Sequence, residues 1–503
     1  MNSFTRALQS VDIRLIAIVL SCCFSLIIIA SSPIPNDDAF SYLRAAEIFS
    51  QQGLNSTLAN YGWYWYSVLI ACVGSLLPIS LMNAAHLVNM LALAVLVYAF
   101  ITLVMEFNQS TSVKLFAAVV ILCYPTINEM RYFLIRDFAY WALCLSALTQ
   151  FIRFGKTGNL TNAWGWTLAM SVAVLFRLEG LILLAITPFS LLLPGLTSVE
   201  KKTARLFTLL FIMLAAALAI LLVFAVAGIN LFEVFNFTYR WYLPLLNEYP
   251  DTLSGAAQNA ALSSHISEQV EIFTGRGMMV LIFGYVYALT STLVMTISPA
   301  VCLFLFYGWI SGRLGLSSEN KWPWLFFLAS ALLVLLTFVS IMQFLTTRYA
   351  VLAALLLLSL LPLLIENLYQ LSIREQSVKR FKIVFVSLAL FFAADSLVSF
   401  GYSKSYIRQA GDWTRENITQ GSKVQTNSFA VAYFSGLVAD YDDIETDPAE
   451  SFLLYAENDY LVLDLPHDDA DSREVLGTMR GITEIARFAN KRDDAIVVYQ
   501  VLP

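Results

Sequence analysis

Two adjacent aspartates, Asp37 and Asp38, stand directly behind the first apolar run of the chain, in Pro35-Asn36-Asp37-Asp38-Ala39. An ionised carboxylate in such a place can take the proton of a hydroxyl. Further charges stand at later boundaries between apolar runs: Glu129, Arg131, Arg136 and Asp137 together, then Arg177 with Glu179, then Arg348 followed by Tyr349. Arginine's planar fork matches an oxyanion, phosphate above all. The residue types therefore point to base chemistry beside an anionic group. Plainer readings stand next to each: Asp37 and Asp38 as a cap on a helix starting near Ala39, Arg136–Asp137 and Arg177–Glu179 as structural ion pairs, and Arg348 as a side chain snorkelling to lipid head groups.

The elements that must position these groups are apolar helices. Of 503 residues, 58% are hydrophobic and 13% charged, and mean hydropathy is +0.70, whereas soluble domains carry about a quarter charged residues. Runs such as 206–226, 324–340 and 351–365 are long enough for helices in a bilayer core of about 30 Å. Apolar runs and polar breaks predict spans at 12–32, 81–105, 113–127, 137–153, 162–176, 180–196, 206–228, 278–310, 322–341, 347–368 and 381–400, about eleven in all. No small-residue cleavage site follows the first run, so it is expected to stay as a span with a cytoplasmic N-terminus. The segments then assigned to the inner face hold fourteen Lys and Arg, against seven in the outer loops between spans. That asymmetry agrees with the positive-inside rule and puts Asp37, Asp38, Glu129, Arg131, Arg136, Asp137, Arg177, Glu179 and Arg348 on one outer face. The tips around Glu129–Asp137 and Arg177–Glu179 join short runs, as expected of hairpins that dip into a polar cavity.

Residues 1–400 are thus expected to form an all-α polytopic bundle. Its first outer loop, 33–80, carries two interfacial helices, one amphipathic after Asp38 and one rich in Tyr and Trp from Trp63 to Leu77; a long outer loop follows at 230–277. Residues 401–503 read as a small extracytoplasmic α/β domain, with a helix at 406–417 and strands at 423–426, 460–464 and 495–499. The six cysteines lie in apolar stretches without disulfide or metal spacing, and His86, His265 and His467 are scattered. The net charge of −6 comes mainly from the acidic tail, and nothing points to nucleic acid.

In order and sidedness these residues resemble the GT-C glycosyltransferases, especially the bacterial branch of glycosyltransferase family 39 that includes protein O-mannosyltransferase-like and aminoarabinose-transferase-like enzymes. Asp37-Asp38-Ala39-Phe40-Ser41-Tyr42 is similar to the family's acidic run after the first span, usually Asp-Glu-Ala-Tyr-Tyr; Asp38 departs from its Glu. Arg136-Asp137 resembles a second outer carboxylate, Arg177-Leu178-Glu179-Gly180 an Arg-x-Glu-Gly turn, and Arg348-Tyr349 an Arg-Tyr opening a late span. Trp413 to Val424 is similar to the start of the outer domain in many members.

The resemblance implies transfer of a sugar from a polyprenyl-phosphate carrier to a glycan, lipid or protein acceptor, in a bacterial inner membrane with the active site towards the periplasm. Asp37, Asp38 and Asp137 match the catalytic carboxylate positions, with Asp37 as base. Arg348 is the first choice for the lipid phosphate, with Arg131, Arg136, Arg177, Glu179 and Tyr349 in support. Some members use a divalent cation, for which the sequence offers no compelling ligand set. The rival readings are a polysaccharide polymerase or ligase, and a lipid or sugar transporter; a transporter calls for charges or broken helices near mid-membrane, whereas these charges gather at one end.

Overall fold

The computed structural model describes residues 12–31, 34–60, 64–193, 199–226, 277–397, 404–438, 459–469 and 481–502, with single positions at 228, 441, 444, 472, 474, 476 and 479. The long loop expected at 230–277 lies outside the described residues apart from Gly277. In chain order the helices are α1 (Ile13–Ser31), α2 (Asp38–Gln52), α3 (Leu54–Asn60), α4 (Tyr64–Leu76), α5 (Leu81–Phe107), α6 (Thr111–Leu122), α7 (Pro125–Glu129), α8 (Asp137–Thr157), α9 (Leu160–Phe176) and α10 (Gly180–Ile186), the last running into a 3-10 turn at Thr187–Leu192. Then come α11 (Val199–Val226), α12 (Gly277–Ile297), α13 (Pro299–Ile310), α14 (Ser318–Met342), α15 (Thr347–Leu358), α16 (Leu361–Arg374), α17 (Val378–Leu397) and α18 (Ser405–Asn417). The C-terminal part adds β1 (Val424–Thr426), α19 (Phe429–Ser435), β2 (Tyr460–Leu465), β3 (Ile482–Ala489) and β4 (Ala495–Val501).

Among the described residues five helical stretches are long and apolar enough to cross a membrane: α1, α5, Lys201–Val226 in α11, Glu319–Met342 in α14, and Thr347–Arg374. Several expected spans are shorter than expected. At 1.5 Å per residue, the 12 residues of α6 cover about 18 Å where 113–127 was expected, and in place of 180–196 α10 ends at Ile186 and its 3-10 turn at Leu192. The span expected at 278–310 is two helices, α12 and α13, bent by 98°. The chain breaks where Ser298 takes φ 91° and Pro299, which has no N–H, opens the next helix. The bend leaves the Thr296 carbonyl to side-chain donors: Tyr124 Oη and Thr126 Oγ1 each donate to it at 2.8 Å.

The chain divides into two compact units. One comprises Met1–Cys22, Leu91–Asn128 and Arg136–Ser396; the other comprises Cys23–Met90, Glu129–Ile135 and Leu397–Pro503. In the first, α8 and α9 pack along each other, with Trp166 against Phe151 at 5.0 Å. Glu106 ties this unit together through Arg153 at 2.7 Å and Lys156 at 3.6 Å, and its carbonyl accepts from Asn320 Nδ2 at 2.9 Å.

In the second unit, the apolar stripe of α2 packs on protein: Ala39, Phe40, Tyr42, Leu43, Ala45 and Ala46 are buried. Tyr42 meets Tyr66 of α4 edge-on at 5.0 Å, and Phe40 lies 5.5 and 5.7 Å from the rings of Tyr433 and Phe434 on α19. Tyr66 Oη donates to Asn89 Oδ1, and Asn89 Nδ2 to the Phe133 carbonyl, both at 2.7 Å. The four-stranded sheet runs β1-β2-β4-β3, with β1 parallel to β2 and the other pairs antiparallel. Strand alternation sends Leu461, Leu463 and Leu465 into a core with Ala495 and Val497.

Candidate functional site

Each unit carries one of the charged groups singled out above. In the first unit the group is built on Asp137, the opening residue of α8, where a carboxylate suits the positive end of the helix. Arg177 Nη1 binds its Oδ1, and Arg348 Nε lies 3.6 Å from its Oδ2. Arg177 also donates to Glu179, Nη2 to Oε1 at 2.9 Å and Nε to Oε2 at 3.4 Å. Glu179 stands at the cap position of α10 and makes no side-chain cap there; its carboxylate faces Arg177, and Arg136 lies close enough to act on it electrostatically. Tyr349 brings the two arginines together, its ring 4.7 Å from the Arg177 guanidinium and 5.4 Å from that of Arg348. Phe338 backs this ring at 4.4 Å.

The turn that aims Arg177 is closed by Gly180 N–H donating to the Arg177 carbonyl at 3.0 Å. A Cβ at Gly180 would meet the Tyr140 ring at 3.3 Å, so glycine allows the close approach. Asp137 is 1% exposed and Arg177 6%, whereas the Arg348 side chain is 21% exposed. Arg177, Glu179, Tyr140, Trp141 and Tyr349 line a cavity of about 30 Å³, the volume of one water. Asp137 and Arg177 therefore act as the buried frame, and Arg348 is its open member.

In the second unit Asp37 precedes α2 and Asp38 is the first helical residue, where its charge suits the helix N-terminus. Asp37 occupies the cap position with helical backbone angles and makes no side-chain cap hydrogen bond. Its carboxylate is not used as the plain capping reading requires. Asn36 fixes the approach, its Oδ1 accepting from the Leu134 N–H at 2.8 Å. Arg131 is 1% exposed; it donates to Ser25 Oγ at 2.8 Å and lies over the Phe24 ring at 5.9 Å, so it is held inside this unit.

Among the described residues no three His, Cys, Asp or Glu side chains come together as a metal site. One neighbour of the arginine frame was not legible as such in the sequence: Tyr140, one turn beyond Asp137 and 5.8 Å from Arg177.

No family model matches the sequence, and no curated protein matches it. Solved structures do. The oligosaccharyltransferase of Archaeoglobus fulgidus in complex with zinc and sulfate aligns with a TM-score of 0.53 at 13% identity, over 89% of this chain and 68% of that one. The same archaeal enzyme, AglB, with an inhibitory peptide and a dolichol-phosphate aligns at 0.51 and 11% identity, over 90% and 69%. ArnT from Cupriavidus metallidurans bound to undecaprenyl phosphate aligns over 99% of both chains at 13% identity, with a TM-score of 0.45. At these identities the likeness to the archaeal enzyme is one of fold, and the fold of this chain is a polytopic, GT-C-like membrane bundle with a small C-terminal sheet.

Proposed function

We propose that the protein is a membrane glycosyltransferase that takes a sugar from a polyprenyl-phosphate carrier and passes it to a glycan, lipid or protein acceptor outside the cytoplasm of a bacterium. The observation that carries the reading is the arginine frame of the first unit: Arg177 and Arg348 on the two oxygens of buried Asp137, with Tyr349 against both. A buried carboxylate that orients two arginines prepares a fixed positive site, suited to charge that develops on a departing phosphate. Arg348, the more exposed of the two, takes the phosphate in this reading; Arg136, Arg177, Glu179 and Tyr349 hold it in place. Arg131, buried in the other unit, supports the approach to Asp37 structurally.

Asp37 takes the acceptor's proton. As the acceptor oxygen bonds to the anomeric carbon, the bond from that carbon to the phosphate oxygen breaks and its electron pair leaves with the lipid phosphate. The hydroxyl proton goes to Asp37, and the anomeric configuration inverts. Asp38 keeps the head of α2 in place. That the archaeal enzyme of like fold was solved with a dolichol-phosphate supports a lipid-phosphate donor. So does an apolar cavity of about 440 Å³ in the first unit, lined among others by Val119, Phe304, Leu358, Leu361, Phe385 and Phe392; an isoprenoid chain suits it.

The test is mass spectrometry of lipid-linked sugars and surface glycans from cells with and without the protein. Loss of the protein should raise one polyprenyl-phosphate sugar and remove one glycan modification. Unchanged lipid-linked sugars together with shorter glycan chains would favour a polymerase instead.

A further inference from the structure

Three helix breaks in the first unit surround one cavity. α6 stops at Leu122 and α7 opens with Pro125; α12 stops at Ile297 and α13 opens with Pro299; α15 stops at Leu358 and α16 carries Pro362 in its first turn. Proline has no N–H to give the preceding turn, so each break frees backbone carbonyls. Residues from both sides of all three breaks line the same apolar space of about 440 Å³: Cys123 and Pro125, Ile297 and Ala300, Leu358 and Leu361. Beside each break a side chain meets a freed carbonyl. That of Leu122 accepts from Asn128 Nδ2 at 2.8 Å, and that of Thr296 from Tyr124 Oη and Thr126 Oγ1 at 2.8 Å. The Leu356 carbonyl, which Leu360 N–H leaves for that of Leu357, accepts from Ser359 Oγ at 2.6 Å and Trp324 Nε1 at 3.1 Å. Interrupted backbone at membrane depth needs such partners. Ser298 adds strain, since φ 91° with ψ 130° is a region that residues other than glycine rarely take. A packing fault explains none of this: voids in packed cores seldom exceed one water, whereas ligand pockets run to about 300–1,000 Å³.

We propose that the three breaks build a second recognition point for the lipid carrier, so that the protein selects the donor by the length of its isoprenoid chain as well as by its phosphate. The inference rests on the glycosyltransferase reading and on Arg348 as the phosphate site. Its scale comes from α15. Arg348 is the second residue of that helix and Leu358, on the cavity wall, is its last; ten residues of helix separate them by about 15 Å. Each isoprene unit adds four carbons to the chain, about 4–5 Å when extended with C–C bonds of about 1.5 Å. The first three units therefore only bridge from the phosphate to the cavity, and the fourth is the first to enter it. The donor's chain is favoured over an acyl chain of the bilayer because one helix carries both the phosphate site and the cavity wall, which holds a long carrier at two points.

The test compares a carrier that stops short of the cavity with one that fills it. Radiolabelled farnesyl phosphate, with three isoprene units, is bound to the purified full chain in lipid nanodiscs and displaced by undecaprenyl phosphate, with eleven. Ala300→Trp fills the cavity from α13. It should bind the farnesyl probe as the wild type does, while undecaprenyl phosphate should displace that probe roughly tenfold less well, having lost its packing in the cavity. Comparing one ligand across two proteins cancels its partition into the bilayer. Equal displacement in both proteins overturns the proposal. So does the same tenfold loss with dioleoyl phosphatidic acid, which would make the cavity a site for any lipid chain. Should Ala300→Trp fail to bind the probe, Ala389→Trp, which fills the cavity from α17, decides in its place. A wild type from which undecaprenyl phosphate displaces nothing would sink the lipid-phosphate donor and this inference together, whereas equal displacement sinks the selection by length alone.

Discussion

Arg348 and Asp137 are 211 residues apart in sequence, yet the arginine's Nε lies 3.6 Å from the carboxylate's Oδ2. Arg177 takes the other oxygen. With both oxygens engaged and 1% exposure, Asp137 is suited to hold arginines and poorly placed to receive a substrate proton. Asp137→Ala should therefore act first on stability. Removing one partner of a buried ion pair costs about 3–5 kcal/mol, which thermal unfolding of the detergent-solubilised protein would register. A variant as stable as the wild type would show that the frame is dispensable.

Arg348→Lys keeps the charge and loses the fork. A lost charge-assisted hydrogen bond is worth about 1.5–3 kcal/mol, so affinity for undecaprenyl phosphate should fall roughly 10- to 100-fold. Titration of the purified protein with that lipid in nanodiscs measures this. Equal affinity would return Arg348 to the role of a snorkelling side chain.

Asp37→Asn should insert and fold normally, because the approach to α2 is held by Asn36 and Leu134 and not by the Asp37 side chain. Transfer should drop roughly 10²-fold or more. Asp38→Asn should be milder, removing only a favourable charge at a helix start worth about 0.3–1 kcal/mol. The readout is the modified glycan in cells expressing each variant at equal level; near-normal product from Asp37→Asn would move the search for the base to Asp38.

The break between α12 and α13 depends on two hydroxyls. Tyr124→Phe with Thr126→Val leaves the Thr296 carbonyl, whose own helix cannot satisfy it, without both of its donors. Stability should fall by about 1–3 kcal/mol. Hydrogen exchange should quicken in α12 and α13 ahead of α8 and α9. Uniform exchange throughout would deny the two hydroxyls a special part.

Sidedness remains an expectation from charge alone, and tags test it directly. Those after Lys201 and Lys379 should be cytoplasmic, while those within 230–277 and after Pro503 should be external. A cytoplasmic tag at Pro503 would remove the common outer face on which the proposed site depends.

Much of the second unit could be read from the sequence. The helix after Asp38 and the one from Trp63 follow from apolar spacing, and β2 and β4 from short β-branched runs. Strand β3 did not show, because Ile482-Thr483-Glu484-Ile485-Ala486-Arg487 is an edge strand with no buried residue, and its charges dilute any alternation. The seven residues of α19 are nearly all apolar, so no period separates helix from strand. In the membrane unit, hydropathy located apolar runs and could not tell a bend from a span at Ser298-Pro299. The charged residues were legible as a set. The Arg177–Glu179 pair was legible from its spacing; that Arg177 and Arg348 both reach Asp137 was not, since Asp137 opens α8, Arg177 stands in the turn after α9 and Arg348 is on α15, and only packing brings them together.

The strand order has a consequence for how the protein is made. β4, at Ala495–Val501, lies between β2 and β3 and covers Leu461, Leu463 and Leu465. Until the ribosome has passed Val501, β2 has no antiparallel neighbour and β3 has none at all. Every helix of the membrane unit is synthesised before this sheet can close. A chain stopped at Asp494 would thus leave the apolar face of β2 without the strand that covers it.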